Sequence, residues 1–383
     1  MLRSSLRAGT TMETSGASER TSAGCSSSER EWRARSSATT GTMIHGDASA
    51  MMSREVTPKD ASSCDHHATG CQLQPIAVLS TLREMRLPPP LSPGARVALV
   101  APAGPLRSRD ELDVAIAQAV AFGWEPVVGE HALARKGYLA GSDEQRLHDL
   151  NGALSDKSVD GIWCLRGGYG AIRLLDGLDV DAMRARPRAL IGYSDITALH
   201  AAIGGAANVV TFHGPTARSP LTTFARDSLE RAVVQHRDPC GAAHGATMVR
   251  PGRAEGRLVG GNLALLAALC GTRFAPDYTD AILIIEDISE HTYRIDRMLR
   301  QLQLSGALSR LAGIVYGCFT DGTDPADENS CDLDDVLREA AEYAGVPAIS
   351  GAPIGHIDDQ WTVPIGAMAE LDADNLALHV ALA

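Results

Sequence analysis

From residue 96 onward, short unbroken apolar runs alternate with stretches whose apolar positions recur at helical spacing. Arg96-Val97-Ala98-Leu99-Val100-Ala101 reads as a buried strand, closed by the turn Pro102-Ala103-Gly104-Pro105. Leu112, Ala115, Ile116 and Ala119 then mark one face of a helix, and Pro126-Val127-Val128 the next strand. A helix is predicted over 143–154, a strand over 161–165 and a helical stretch over 171–178. The run Ala189-Leu190-Ile191-Gly192 passes through Ser194 into a new helical pattern (Ile196, Leu199, Ala202, Ile203). Val209-Val210-Thr211-Phe212 follows, closed by His213-Gly214-Pro215. Strands alternating with helices at this spacing predict a mostly parallel, doubly wound sheet.

Residues 216–256 break the rhythm. They are rich in Arg, Pro, Gly and Ala, with a helical piece near 228–234, and read as a connection between domains. A second patterned region then opens at Gly260-Gly261-Asn262 and a helix through Leu269. Ala281-Ile282-Leu283-Ile284-Ile285 predicts a buried strand ending in Glu286-Asp287. A helix over 293–304 carries Arg294, Arg297 and Arg300 on its exposed face. Gly313–Gly317 predicts a strand and 333–343 a helix. Residues 367–371 and 376–382 alternate like a closing β-hairpin. No internal repeat is present. The expected organisation is a tail or over-long gene model over 1–88, a Rossmann-like α/β domain over 89–220, a connection over 221–256, and a smaller, β-rich α/β domain over 257–383.

The tail is rich in Ser, Thr, Gly, Ala and Arg and has no sustained apolar period, so it lacks the surface to offset its ordering entropy. It has no secretory h-region, and Glu13, Glu19, Glu29 and Glu31 argue against a transit peptide. Met85, just before the Pro88-Pro89-Pro90 run, is an alternative start. No stretch is long and apolar enough for a membrane helix.

The stretch that organises the chemistry is Gly192-Tyr193-Ser194-Asp195. A strand, a sharp turn with a serine, and a helix start make a nucleophile elbow, in which the hydroxyl is lifted from the sheet toward backbone N–H groups. A second glycine two residues after the serine is usual, and Ile196 stands there instead. A serine in such a turn also serves as a plain N-cap. A serine nucleophile needs a base, and the base needs a partner that holds its tautomer. Glu286 at a strand end and His356 after Gly355 supply both, and the order Ser194, Glu286, His356 is nucleophile, acid, base. Glu286 could equally be a helix-terminal or surface charge, and His356 an ordinary loop histidine. His200, inside a predicted helix, and His213, at a strand end, are rivals. Arg166-Gly167-Gly168-Tyr169-Gly170 could cradle phosphate, but Arg173 stands where a dinucleotide fingerprint needs Gly or Ala, and no Walker lysine follows. An oxyanion hole facing Ser194 is the preferred reading of that turn.

Composition narrows the field. The chain of 383 residues is 44% hydrophobic but only 4% aromatic, with 37 glycines, which suits tight α/β turns. Net charge is −12, and residues 1–88 hold ten basic and nine acidic residues, so the acidity belongs to the remainder. That balance argues against nucleic acid as a partner. The eight cysteines are dispersed without a C-x-x-C pair, which fits a reducing, cytoplasmic setting. Cys64, His66, His67 and Cys71 match no zinc spacing.

Taken together, Gly161–Gly170, the Ser194 elbow, Phe212-His213-Gly214-Pro215, Gly260-Gly261-Asn262, Ile285-Glu286-Asp287, Gly355-His356 and Pro364-Ile365-Gly366 resemble, in order and spacing, the LD-carboxypeptidase family of serine peptidases, which includes the microcin C immunity peptidases. The resemblance covers roughly residues 92–383. It implies a Ser194–Glu286–His356 triad and an oxyanion hole from the N–H groups of Asp195 and Gly168. It implies a homodimer acting on murein peptide, with no cofactor, metal or membrane. Asn262, after two glycines at a helix start, is expected to contact substrate. The expected reaction is release of D-Ala from murein tetrapeptide. The alternatives are cleavage of an aminoacyl-nucleotide amide and, in another class, a non-catalytic α/β ligand-binding protein. The immunity branch stacks its base on an interdomain aromatic, and residues 216–256 offer only Phe224.

Overall fold

A computed structural model describes residues 85–322 and 331–382. The tail expected over 1–88 lies outside them up to residue 84, as do Cys64, His66, His67 and Cys71. Residues 85–88 are part of the fold: the Arg86 N–H donates to Asn208 O (3.0 Å), and Arg86 O accepts from the Val210 N–H (2.9 Å).

The N-terminal half lays down β1 (Arg96–Val100), α1 (Arg109–Ala121), β2 (Glu125–Val128), α2 (Asp143–Ser155), β3 (Gly161–Cys164), α3 (Val180–Ala185) and β4 (Ala189–Gly192). After the elbow come α4 (Thr197–Leu199), α5 (Gly205–Ala207) and β5 (Thr211–His213). β2, β1, β3, β4 and β5 are mutually parallel neighbours in one sheet. The apolar runs are continuous because both faces of this sheet are covered. Val97 and Leu99 enter one core cluster, while Ala98 and Val100 enter another on the opposite face. α2 starts where the sequence supplies a capping box: Ser142 Oγ accepts from the Gln145 N–H, and Gln145 Oε1 accepts from the Ser142 N–H.

The region expected to be a connection with one helical piece carries strands as well. It contains α6 (Thr223–Glu230) and two short strands, β6 (Gly241–Ala242) and β7 (Thr247–Arg250). Next come β8 (Arg253–Asn262), α7 (Leu263–Leu269), β9 (Ala281–Ile288), α8 (Thr292–Leu304), β10 (Gly313–Thr320), α9 (Leu333–Ala344), β11 (Ala348–Ser350), β12 (Val363–Ile365), β13 (Met368–Asp372) and β14 (Ala377–Ala381). The second sheet has the order β6-β14-β13-β8-β9-β10-β11-β7, with β8 to β11 parallel and the outer strands antiparallel. The expected α/β architecture, a Rossmann-like part followed by a β-rich part, is what forms.

Two features join the halves. β12 leaves the second half and pairs antiparallel with β5, so it is the edge strand of the first sheet. Pro364 is tolerated because an edge strand can leave one side unpaired. Trp163 and Phe212 of the first half, Ile282, Ile284 and Val315 of the second sheet, and Trp361 also share one core cluster.

The helix after the elbow is less regular than its apolar spacing predicts. It runs as a 3₁₀ turn (Ser194–Ile196), α4, a π turn (His200–Gly204) and α5. Residues 171–177 form a 3₁₀ helix rather than an α-helix. No helix among the described residues is long and apolar enough to cross a membrane.

Candidate active site

Ser194 sits at the carboxyl end of β4 with φ 64°, in the left-handed region that costs a non-glycine residue roughly 1–3 kcal/mol. Such strain persists only where the surroundings fix it. Here the next residue does so: Asp195, 1% exposed, accepts the Ala171 N–H on Oδ2 at 2.7 Å. That bond ties the elbow to the end of the 167–170 turn. Burial raises the Asp195 pKa, and the Ala171 hydrogen bond opposes the rise.

Ser194, Glu286 and His356 are brought together. Ser194 Oγ lies 3.0 Å from His356 Nε2, and His356 Nδ1 lies 2.7 Å from Glu286 Oε2. Glu286 ends the apolar part of β9 and is fully buried, whereas His356 keeps a small exposed edge. With Nδ1–H donating to the carboxylate, Nε2 is left free to accept the serine proton. Gly355 (φ 120°) makes the approach possible: a Cβ there would lie 2.9 Å from Glu286 Cβ and 3.0 Å from its Oε2. The non-catalytic alternative expected these three side chains to lie apart, and they are within hydrogen-bond reach.

The glycine turn meets the serine from the neighbouring strand. A Cβ on Gly167 would lie 2.9 Å from Ser194 Cβ, so only glycine allows the contact. Gly168 (φ 102°) is exposed at the mouth, and buried Asp195 lies at the helix start.

The rival histidines have other places. His200 Nε2 donates to Gly192 O at 2.8 Å beneath the elbow, and burial lowers its pKa to about 4. His213 is fully buried, and burial holds it well below its ordinary pKa. Neither is in hydrogen-bond contact with Ser194 in the structure. Tyr193 stands between the histidines, its ring 4.8 Å from His356 and 6.1 Å from His213.

Asn262 is 4% exposed and caps α7. Its Oδ1 accepts from the Leu265 N–H (3.3 Å), and its Nδ2 donates to Asp287 Oδ1 (2.9 Å). Its own N–H donates to Thr197 Oγ1 (2.9 Å), which links β8 to the elbow helix. The sequence pattern did not reveal Asp195 as a brace, or Thr197 as a link, because each acts on a partner distant in the chain. Among the described residues, no group of three or more His, Cys, Asp or Glu side chains is arranged to hold a metal ion.

The chain can now be set against known proteins. Residues 97–214 match the family model of the LD-carboxypeptidase N-terminal domain, and residues 255–371 that of the C-terminal domain. A Streptomyces coelicolor protein named as a carboxypeptidase is 41% identical over 306 residues, spanning 76% of this chain and 95% of its own. The murein tetrapeptide carboxypeptidase of Pseudomonas aeruginosa is 37% identical over 300 residues, spanning 73% and 94%. The crystal structure of an MccF-like protein from Bacillus anthracis superposes with a TM-score of 0.71 at 25% identity, covering 78% of this chain and all of that one. With both domain models matched and relatives aligned over nearly their full length, this chain belongs to the LD-carboxypeptidase family of serine peptidases and is a carboxypeptidase.

Proposed function

We propose that this carboxypeptidase cleaves the L,D-peptide bond of murein tetrapeptide and releases the terminal D-Ala. The observation that carries the proposal is the continuous hydrogen-bonded line from Ser194 Oγ through His356 to buried Glu286. The name of the Pseudomonas relative, aligned over most of both chains, favours the murein substrate.

In this reading His356 takes the Ser194 proton through Nε2 as Oγ attacks the scissile carbonyl. The oxyanion forms against the N–H groups of Gly168 and Asp195, donors already set before the charge develops. Glu286 holds Nδ1–H and stabilises the imidazolium. His356 then delivers the proton to the departing D-Ala amine, which breaks the C–N bond and leaves an acyl-enzyme on Ser194. A water, deprotonated by the same nitrogen, attacks the ester, and Oγ leaves with the proton. The same reading places the enzyme in the cytoplasm as a homodimer.

The test is D-Ala release from L-Ala-D-Glu-meso-diaminopimelyl-D-Ala. Wild-type protein should turn over, and Ser194→Ala should lose at least about 10⁴-fold in kcat with an unchanged melting temperature. Near-normal turnover by Ser194→Ala would remove the nucleophile assignment. The likeness to the MccF-like structure favours a second reading, hydrolysis of an aminoacyl-nucleotide amide. Phe224, 40% exposed, is the interdomain aromatic available to such a substrate. Turnover of the amide without turnover of the tetrapeptide would establish that reading instead.

A further inference from the structure

Arg107, Arg135, Arg166 and Arg218 come from separate loops that follow β1, β2, β3 and β5, at the carboxyl edge of the first sheet. That edge is where open α/β sheets receive ligands. Arg166 is half-buried. It leads into the Gly167-Gly168 turn, and its Nε lies 3.9 Å from where a Gly168 Cβ would stand and 3.6 Å from that of Gly104. Its Nη1 donates to Pro105 O, and among the described residues it has no carboxylate in ion-pair contact. Arg218 is half-buried and pairs with Glu111 at 3.0 Å, while its buried Nε has no protein partner. Glu111 also accepts the Arg107 N–H, and Arg135 donates to Leu106 O.

Glu111 thus holds one guanidinium of the four, that of Arg218, in a chain whose net charge is −12. Burial and the positive charges of Arg218, Arg107 and Arg135 all lower the Arg166 pKa, with only Glu111 opposing. This positive group stands on loops flanking the Ser194 turn of an otherwise acidic molecule, with Arg107 and Arg135 exposed and Arg166 and Arg218 half-buried, and it attracts an anion there.

We infer that Arg166, supported by Arg218, binds a substrate carboxylate beside the Gly168 turn, and that this carboxylate is the free terminus of the departing residue. The inference rests on the peptidase reading above and adds its specificity. The fork of Arg166 engages the terminal carboxylate and places the preceding amide over Ser194. A blocked terminus leaves that charge unanswered, so the enzyme removes one terminal residue and does not cut internally.

The experiment compares the tetrapeptide acid with the same peptide ending in D-alaninamide, using wild-type protein, Arg166→Ala, Arg166→Gln and Arg166→Lys. Wild type should prefer the acid by about 100-fold in kcat/KM. In Arg166→Ala and Arg166→Gln the acid-to-amide ratio should fall toward one, with most of the loss in KM, and Arg166→Lys should recover part of it. A wild type indifferent to the amide, or variants that lose acid and amide turnover equally, would overturn the assignment. A second arm does not depend on the murein substrate: protection of Ser194 from a neutral phosphonate by free D-alanine. Wild type should be protected by D-alanine, not by D-alaninamide, and protection should vanish in Arg166→Gln. Protection by inorganic phosphate at far lower concentration than by D-alanine would reassign the site to phosphate. Failure of the tetrapeptide with intact D-alanine protection would sink the substrate reading and leave this subsite standing.

Discussion

At the scale of single residues, Glu286 and Asp287 show how one strand serves two purposes. Successive side chains on β9 point to opposite faces, so Glu286 reaches His356 while Asp287 turns toward α7. There Asp287 accepts from Asn262 Nδ2, from the Ile288 N–H and from the Ala264 N–H. Burial raises its pKa from the usual 3.8 to about 6; the Glu286 charge adds to this, and the hydrogen bonds oppose it. A carboxyl raised in the folded state favours folding most at low pH, and that advantage fades as pH climbs through the folded value. The penalty is thus absent below about 4 and complete above about 6, on the order of 3 kcal/mol. Asp287→Asn removes the titration. In urea denaturation, wild type should lose stability relative to the variant between pH 4 and 6, and the gap should be level above 7. A gap independent of pH would place the titration elsewhere.

The legibility of the site follows the same division. Glu286 and His356 could be found in the sequence because each ends an apolar run or follows a glycine, and the elbow gave Ser194 a local signature. Asp195 looked like an oxyanion N–H donor, yet its side chain also braces Ala171, which no local pattern reveals. Arg166 was noticed only as part of a glycine turn. Its importance comes from arginines on other loops, and pairing across that distance is written in topology rather than in spacing.

At the scale of elements, long apolar strands were legible and short edge strands were not. β1, β3 and β4 are buried on both faces, so their sequences are continuous apolar runs. β6 and β7 lie in a Gly- and Arg-rich stretch and pair only at sheet edges, where few side chains need be apolar. β12 is three residues with a central proline. Yet Val363 is fully buried opposite His213, and Pro364 stands opposite Phe212. Val363→Ala should cost about 2 kcal/mol and lower the melting temperature of one cooperative transition. Two resolved transitions, with only the later one unmoved, would mean that the halves fold independently and that β12 is dispensable to the second.

At the scale of the whole molecule, the chain order of nucleophile, acid and base reflects a path that leaves the first sheet, builds the second and returns. β12 comes back to the nucleophile's sheet shortly after His356, and β6, laid down before β8, docks on β14 at the far edge of the other. The chain before Gly245 has thus lent β6 to the second sheet, and the chain after it has lent β12 to the first. The exchange works as a double clasp whose hold does not depend on an unbroken backbone. A protease site inserted at exposed Gly245, in the turn between β6 and β7, should yield two fragments that elute together and still release D-Ala. Fragments that part on cleavage would show that the peptide bond, not the exchanged strands, holds serine and histidine in register.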